Sequence, residues 1–288
     1  MRPHSRRYGD CVKLNLGCGW DHREGYLNVD FVTAHRPDLV GDVLHLPLAS
    51  GAATEVFAQD VLEHLPRTAT EEALAEWRRV TAHGGVTRIR VPSLFHAVDY
   101  MRRAGTIDVH RLLLQNLYGT QAYTGDVHLT SFTDLTVSYG LHQAGFRSVQ
   151  AHLVDDWMWD IRAYASDGPP VAVFWSDGFY EIESSAGMTW RWCRQHGEIV
   201  IVNTDSAPHT AQISMVFRFA HADPDELEVR VGDFTGRFPH GESLSRSVDL
   251  PPASRIVLAI DAPFDSVDAP MDPRSLYFQV TDAAISIR

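Results

Sequence analysis

Val12-Lys-Leu-Asn-Leu-Gly-Cys-Gly-Trp20, followed by Tyr26-Leu-Asn-Val-Asp30, decides how the first half of this chain folds. Val12, Leu14 and Leu16 alternate with polar residues, the two-residue period of a strand. Gly17 and Gly19, lacking Cβ atoms, let the backbone bend sharply and lie close to a ligand. Tyr26–Asp30 reads as the next strand. In an open parallel sheet the glycine turn and Asp30 then lie side by side at the carboxyl ends of neighbouring strands. Such folds bind nucleotides there, the acid accepting hydrogen bonds from ribose hydroxyls. Two glycines also suit an ordinary tight turn. The dinucleotide fingerprint Gly-x-Gly-x-x-Gly fails, because His22 stands at the third glycine position and residues 20–24 contain no glycine. The acid also comes sooner than the ~20 residues expected of such sites. A ligand without a pyrophosphate fits this turn better.

At 288 residues the chain exceeds the usual ~100–200 residues of one domain, so two are expected. A net charge of −12 argues against a nucleic-acid partner. Cys11, Cys18 and Cys193 form no Cys-x-x-Cys pair, so neither a zinc site nor a disulfide framework is expected. The basic start Met1-Arg-Pro-His-Ser-Arg-Arg7 has no apolar core behind it and does not read as a signal peptide. No apolar run reaches the length of a membrane span. A soluble, cytoplasmic protein is the expectation.

Further along, Asp38–Leu48 reads as a short strand and its exit loop, with Asp42 at the ligand edge or capping a turn. Glu55–Gln59 is strand-like. Thr68 and Glu71 have the spacing of a capping box, Leu74, Trp77 and Val80 form a helical stripe, and Gly84-Gly85 is the expected stop. Val86–Val91 is a strand ended by Pro92. Leu94, Phe95, Val98 and Met101 mark one helix; Val109, Leu112, Leu113 and Leu117 mark another. Ser131–Ala144 is a helix closed by Gly145, and Phe146–Gln150 begins a last strand. This alternation implies a mostly parallel sheet with helices on its faces.

The character changes at Ser166-Asp-Gly-Pro-Pro170. Short β-rich runs follow at 171–175, 179–183, 188–192, 199–202, 212–219, 227–231, 255–260 and 276–281, separated by Gly, Pro and Asp turns. They suggest a β-sandwich or jelly roll. The expected division is residues 1–165, an α/β Rossmann-like domain, and residues 166–288, an all-β accessory domain.

Leu14-Asn-Leu-Gly-Cys-Gly19, Gly25–Asp30, Gly41-Asp42 with Leu46-Pro47, Val61-Leu-Glu-His-Leu65, and Trp77–Val80 with Gly84-Gly85 stand in order. Together, over residues 11–150, they resemble a class I S-adenosylmethionine-dependent methyltransferase of the type 11/12-like group. Trp20 and Asp21 depart from the small residues often found after the turn. The resemblance implies S-adenosyl-L-methionine as cofactor, with Gly17, Cys18 and Gly19 under its methionine part and Asp30 on the ribose. Asp42 and Val43 would flank the adenine, and Asp60 with Leu62-Glu-His64 would line the reacting end. Gly178–Glu183 and Met188–Trp192 are similar to a β-domain attached to bacterial glycan-assembly enzymes. The aromatics Trp175, Phe179, Tyr180, Trp190 and Trp192 suit either sugar stacking or a sandwich core.

Methylation of oxygen or nitrogen releases a proton, and a histidine is the common acceptor. Of 15 histidines, His64, past the fourth strand, and His128, in the loop Tyr118–His128, are best placed. Each is also read as a structural residue, capping a helix or ordering the loop. The loop resembles a segment of sugar and natural-product methyltransferases, which makes Tyr118, Tyr123 and Asp126 candidates for the acceptor wall. No carboxylate set for a metal is evident. The expected function is O-methylation of a sugar, glycan or glycosylated natural product. N- or O-methylation of another small molecule is an alternative, as is a non-catalytic glycan-binding scaffold retaining the cofactor site. A nicotinamide-dependent oxidoreductase is disfavoured by the missing glycine. A homo-oligomer is left open.

Overall fold

The computed structural model describes residues 12–122, 125–219, 226–266 and 271–288. Tyr123 lies outside the described residues. In the first half, strands β1 (Val12–Leu16), β2 (Leu27–Asp30), β3 (Leu39–Val40) and β4 (Ala53–Gln59) precede helix α1 (Thr70–Val80) and β5 (Thr81–Pro92). Helices α2 (Leu94–Arg103), α3 (Ile107–Tyr118) and α4 (Asp134–Gln143) come next, then β6 (Arg147–Val154) and β7 (Met158–Tyr164). The second half is β throughout: β8 (Val171–Trp175), β9 (Phe179–Ser185), β10 (Met188–Cys193), β11 (His196–Asn203) and β12 (His209–Arg218). It closes with β13 (Glu226–Val231), β14 (Phe234–Pro239), β15 (Ser243–Leu250), β16 (Ser254–Asp261) and β17 (Phe278–Ile287).

One 12-stranded sheet runs β14-β13-β16-β11-β8-β6-β7-β5-β4-β1-β2-β3. It passes through the turn at Ser166–Pro170 without a break, because β8 pairs parallel to β6. Strands β1 to β5 are parallel neighbours, and β7 is antiparallel to both β5 and β6. A second sheet, β15-β12-β17-β10-β9, has five strands and packs on the far half of the first. The alternation of Ile213, Met215, Phe217 and Phe219 places all four in that sandwich core with Ile199, Ile201, Leu258 and Ile260. The fold is thus Rossmann-like followed by a β-sandwich.

Helices do not cover both faces of the parallel half, as the sequence suggested. Leu74, Trp77 and Val80 of α1, and Val137 and Leu141 of α4, share one core with Leu14, Leu16, Val56, Ile89, Trp159 and Ile161. The other face is polar. The reason begins at the link from β1 to β2, residues 17–26, which is shorter than the dozen or more residues of a usual parallel crossover. No helix forms there. The loop is instead tied down by strand side chains. Asn15 Nδ2 donates to Asp21 O at 2.8 Å and to Asn28 Oδ1 at 2.9 Å. Asn28 Oδ1 also accepts from Arg23 N (2.8 Å), and its Nδ2 donates to Asp38 Oδ2 (2.8 Å). Arg23 then lies over the Phe57 ring at 3.6 Å, covering an apolar side chain that would otherwise face water.

Other expectations differ in detail. Helix α1 starts at Thr70 behind a 3-10 turn, Arg67–Ala69, with no side-chain cap, so the Thr68–Glu71 capping box does not form. It stops at Thr81, whose Oγ1 bonds to Trp77 O (2.7 Å), rather than at Gly84-Gly85. The capping box that does form is Thr133 with Thr136, on α4. Of α2 and α3 only Ala97 and Leu113 are buried, so Phe95 and Leu112 do not face a core. Strands β7, β14 and β15 were not expected; their apolar positions are interrupted by charged or small residues.

Asn28→Ala removes a buried amide that joins β2, the loop and Asp38. The expected loss of stability is about 2–3 kcal/mol, read from urea unfolding; an unchanged midpoint would show the loop is held elsewhere.

Candidate active site

The turn after β1 is a close approach. Gly17 has φ +57°, and a Cβ there would stand 2.6 Å from Val61 Cγ2. Gly19 has φ +51° but faces open space, so its outer side is free for a ligand. Cys18 is buried below the turn, its N–H donating to Val29 O at 3.0 Å, and burial pushes its thiol up to about 11. It contributes backbone, not a reactive sulfur. Asp30 ties the turn to β2: Oδ2 accepts from Gly19 N and Oδ1 from Val32 N, both at 2.8 Å. His35 Nδ1 adds a third contact to Oδ2 at 3.1 Å, and Trp20 packs edge-on against the His35 ring at 5.0 Å.

A carboxylate offers about four acceptor positions. Three of those on Asp30 are taken, one of them by a side chain that can leave. Asp42 is exposed and accepts from Leu44 N at 2.9 Å. Val43 is buried beside it, its carbonyl held by Trp77 Nε1 at 3.1 Å. Asp60 ends β4 at φ +52°, a left-handed conformation costly for a non-glycine residue, with its N–H on Arg90 O at 3.1 Å. Free space at Gly19, one carboxylate at β2 and none of the phosphate-cradling glycines fit an adenosine cofactor without phosphates.

Next to Asp60 opens a cleft of about 410 Å³. Gln59, Asp60, Glu63, His64 and Arg90 line it from β4, the following turn and β5. Gln115 and Asn116 line it from α3, Thr120, Asp126 and His128 from the loop, and Asp155, Trp157 and Met158 from the β6–β7 turn. Glu63 O accepts from Leu129 N (2.7 Å) and Thr130 N (3.2 Å), and Leu65 O from Thr130 Oγ1 (3.1 Å). These bonds carry His128 to His64; the rings meet at right angles with centroids 4.6 Å apart. His128 Nδ1 lies 2.8 Å from Asn116 O. A carbonyl only accepts, so Nδ1 carries the proton and Nε2 keeps a lone pair. Burial, aided by the charge of His64, lowers the His128 pKa, against the hydrogen bond to Asn116. His128 is therefore a neutral imidazole near pH 7.

Asp126 is buried and hydrogen-bonded to Thr120 Oγ1. Tyr118 is exposed and contributes its carbonyl, which accepts from His128 N at 3.2 Å. The sequence did not single out Gln59, Arg90, Gln115, Asn116 or the 155–158 turn, because three of these segments reach the cleft only through β5, α3 and the unexpected β7. Nor did it show the state of Glu63. Its carboxyl is buried, neither oxygen has a partner among the described residues, and burial raises its pKa to about 8.

Removing the His35 ring from Asp30 frees an acceptor position. His35→Ala is expected to tighten S-adenosylmethionine binding a few-fold in calorimetry; weaker binding would mark His35 as a ligand rather than an occupant of that position. For Glu63, the folded pKa lies above the unfolded ~4.3, so the fold prefers the protonated form and loses stability as pH climbs toward about 8. Glu63→Gln is expected to melt progressively higher than the parent chain between about pH 5 and 8. A melting difference that does not change with pH contradicts this.

Residues 15–89 match the family model described as a methyltransferase domain. Among curated proteins none matches the chain. Among solved structures, a possible exported protein from Bordetella parapertussis is similar at 14% identity, over 55% of this chain and 62% of that one, with TM-score 0.42. This chain thus spans under two thirds of that protein's length. A SAM-dependent methyltransferase from Archaeoglobus fulgidus is similar at 14% identity over 54% and 86%, TM-score 0.41. A possible histamine N-methyltransferase from Thermotoga maritima is similar at 13% over 54% and 81%, TM-score 0.36. The glycine turn and the β2 carboxylate thus both lie within the segment 15–89 that matches the methyltransferase-domain model.

Proposed function

We propose that the protein transfers the methyl group of S-adenosylmethionine to a hydroxyl oxygen of a sugar, a glycan or a glycosylated natural product. The observation that carries this is His128, a neutral imidazole with its lone pair at Nε2, set in a cleft rich in amide, guanidinium and carboxylate groups. Such walls hydrogen-bond a hydroxyl-rich acceptor in a defined pose. In this reading Gly17, Gly19, Asp30, Asp42, Val43 and Asp60 hold the cofactor, which supplies an electrophilic methyl group when bound. Asp126 and Asn116 orient the acceptor and the base. His128 Nε2 would take the hydroxyl proton as the hydroxyl oxygen bonds to the methyl carbon and the carbon–sulfur bond breaks, its electron pair leaving on S-adenosylhomocysteine; His64 beside it disfavours premature protonation of His128.

A non-sugar acceptor, methylated on nitrogen or oxygen, is the second reading, favoured by the apolar wall of Leu112, Trp157 and Met158. The division at about residue 165 belongs to the proposal: residues 1–165 perform the transfer, and the sandwich, sharing the sheet, holds the acceptor as a glycan-handling module. A cytoplasmic location belongs to it as well; among the described residues no helix is long and apolar enough to cross a membrane.

His128→Ala is expected to lower kcat by about 10²–10⁴-fold, the usual worth of a general base, with cofactor affinity unchanged in calorimetry. Because its pKa lies below the ordinary histidine value of ~6.5, turnover of the parent enzyme stays flat at and above neutral pH and falls only on acidification, as Nε2 is protonated. Full activity of the variant would move the proton acceptor to His64 or water.

A further inference from the structure

Across β4, β5, β7, β6 and β8 the register sets Gln59 opposite Arg90, Arg90 opposite Asp160, Asp160 opposite His152, and His152 opposite Trp175. Residues paired across strands share a face. Their neighbours Ala58, Ile89, Ile161, Ala151 and Phe174 lie in the core under α1 and α4, so this row belongs to the face without helices. Four strand spacings of ~4.8 Å stretch it over about 19 Å. A second row runs beside it: Phe57, Arg88, Arg162, Gln150 and Val173.

The row connects two cavities. At one end Gln59 and Arg90 line the cleft of His64 and His128. At the other, Trp175 lines a pocket of about 180 Å³ with Trp190, Arg191, Thr189 and Gln150, where β6 and β8 face β9 and β10. Three buried N–H groups along this path have no acceptor among the described residues: Arg88 Nε, Arg90 Nε and Trp190 Nε1. Arg191 lies over the Trp175 ring at 4.9 Å, and its Nη1 donates to Tyr180 O at 3.0 Å. Arg162 is exposed. Burial lowers the Arg191 pKa to about 10, with Arg162 pushing the same way against Glu181, so two guanidinium groups crowd this end of the path.

A ligand for this path must offer both donors and acceptors to a row of amide, carboxylate and imidazole, and negative charge to two crowded guanidinium groups. Hydroxyls do the first and a sugar carboxylate the second. A nucleic acid would set a phosphate on every unit along a row that itself carries Asp160, and an extended peptide pairs with a sheet edge rather than a face. We propose that the helix-free face is an acceptor groove for an acidic oligosaccharide. One sugar presents its hydroxyl at His128, and a carboxylate-bearing sugar farther along docks at Arg162, Arg191 and the Trp175–Trp190 pocket. This rests on the methyltransferase reading and adds to it the class of acceptor and the site that selects it.

The test is calorimetry on the full chain without cofactor, using hexasaccharides of hyaluronan, heparosan, polygalacturonate and alginate, with cellohexaose and the matching acidic disaccharides as controls. At least one acidic hexasaccharide is expected to bind about tenfold more tightly than cellohexaose and than its own disaccharide. Arg162→Glu, at an exposed position, and Trp190→Ala are each expected to lose that margin, with the melting temperature checked for both. No preference for any acidic hexasaccharide over cellohexaose, or a preference that survives Arg162→Glu, overturns the groove. A parallel titration with S-adenosylmethionine separates the two ideas. Absent cofactor binding removes the methyltransferase reading while oligosaccharide binding remains readable; normal cofactor binding without an acidic preference removes the groove alone.

Discussion

The short link between β1 and β2 constrains the rest of the fold. Parallel neighbours are normally joined through a helix that covers one face of the sheet. Here residues 17–26 must turn, cross and re-enter without one. The problem is solved by side chains rather than packing: Asn15, Asn28 and Asp38 bind the loop from the strand side, and Arg23 covers Phe57. Buried amides left unpaired would be costly, so the three strands and the loop form as a unit. The same economy leaves one face of the parallel half polar, while α1 and α4 bury the other.

The second half attaches at an edge: β8 adds to β6, and the sheet continues into the sandwich as a single 12-stranded surface. The row from Gln59 to Trp175 exists because β7 turns back antiparallel between β5 and β6, bringing β6 and β8 into register with the strands of the site. The Rossmann-like half and the sandwich are therefore mechanically joined along hydrogen-bonded strands.

Much of the outline was legible in the residues. The glycine turn, the β2 carboxylate and the stripe Leu74–Trp77–Val80 follow from local rules, since each depends on backbone conformation or on one periodic face. The clean alternation at Ile213–Phe219 marked the sandwich for the same reason. Strand β7 was missed because the turn before it, Asp155-Asp156, takes its left-handed conformation without a glycine, and β14 and β15 because their apolar positions are sparse. The Thr68–Glu71 spacing misled because a preceding 3-10 turn moved the start of α1. His64 and His128 were legible as candidates, but their meeting was not. It depends on Glu63 and Leu65 carbonyls receiving N–H and hydroxyl groups from residues 129 and 130, contacts between segments some 65 residues apart.

By itself the sequence determined the class of fold, the strand–turn–acid edge and the phosphate-free character of its ligand, because a missing third glycine and an early Asp30 are local facts. Only the tertiary structure decided which face of the sheet stays open and that Asp30 is already held by Gly19, Val32 and His35. It also decided which histidine nitrogen keeps its lone pair. These are outcomes of register and burial, and both arise only when distant strands pair and exclude water.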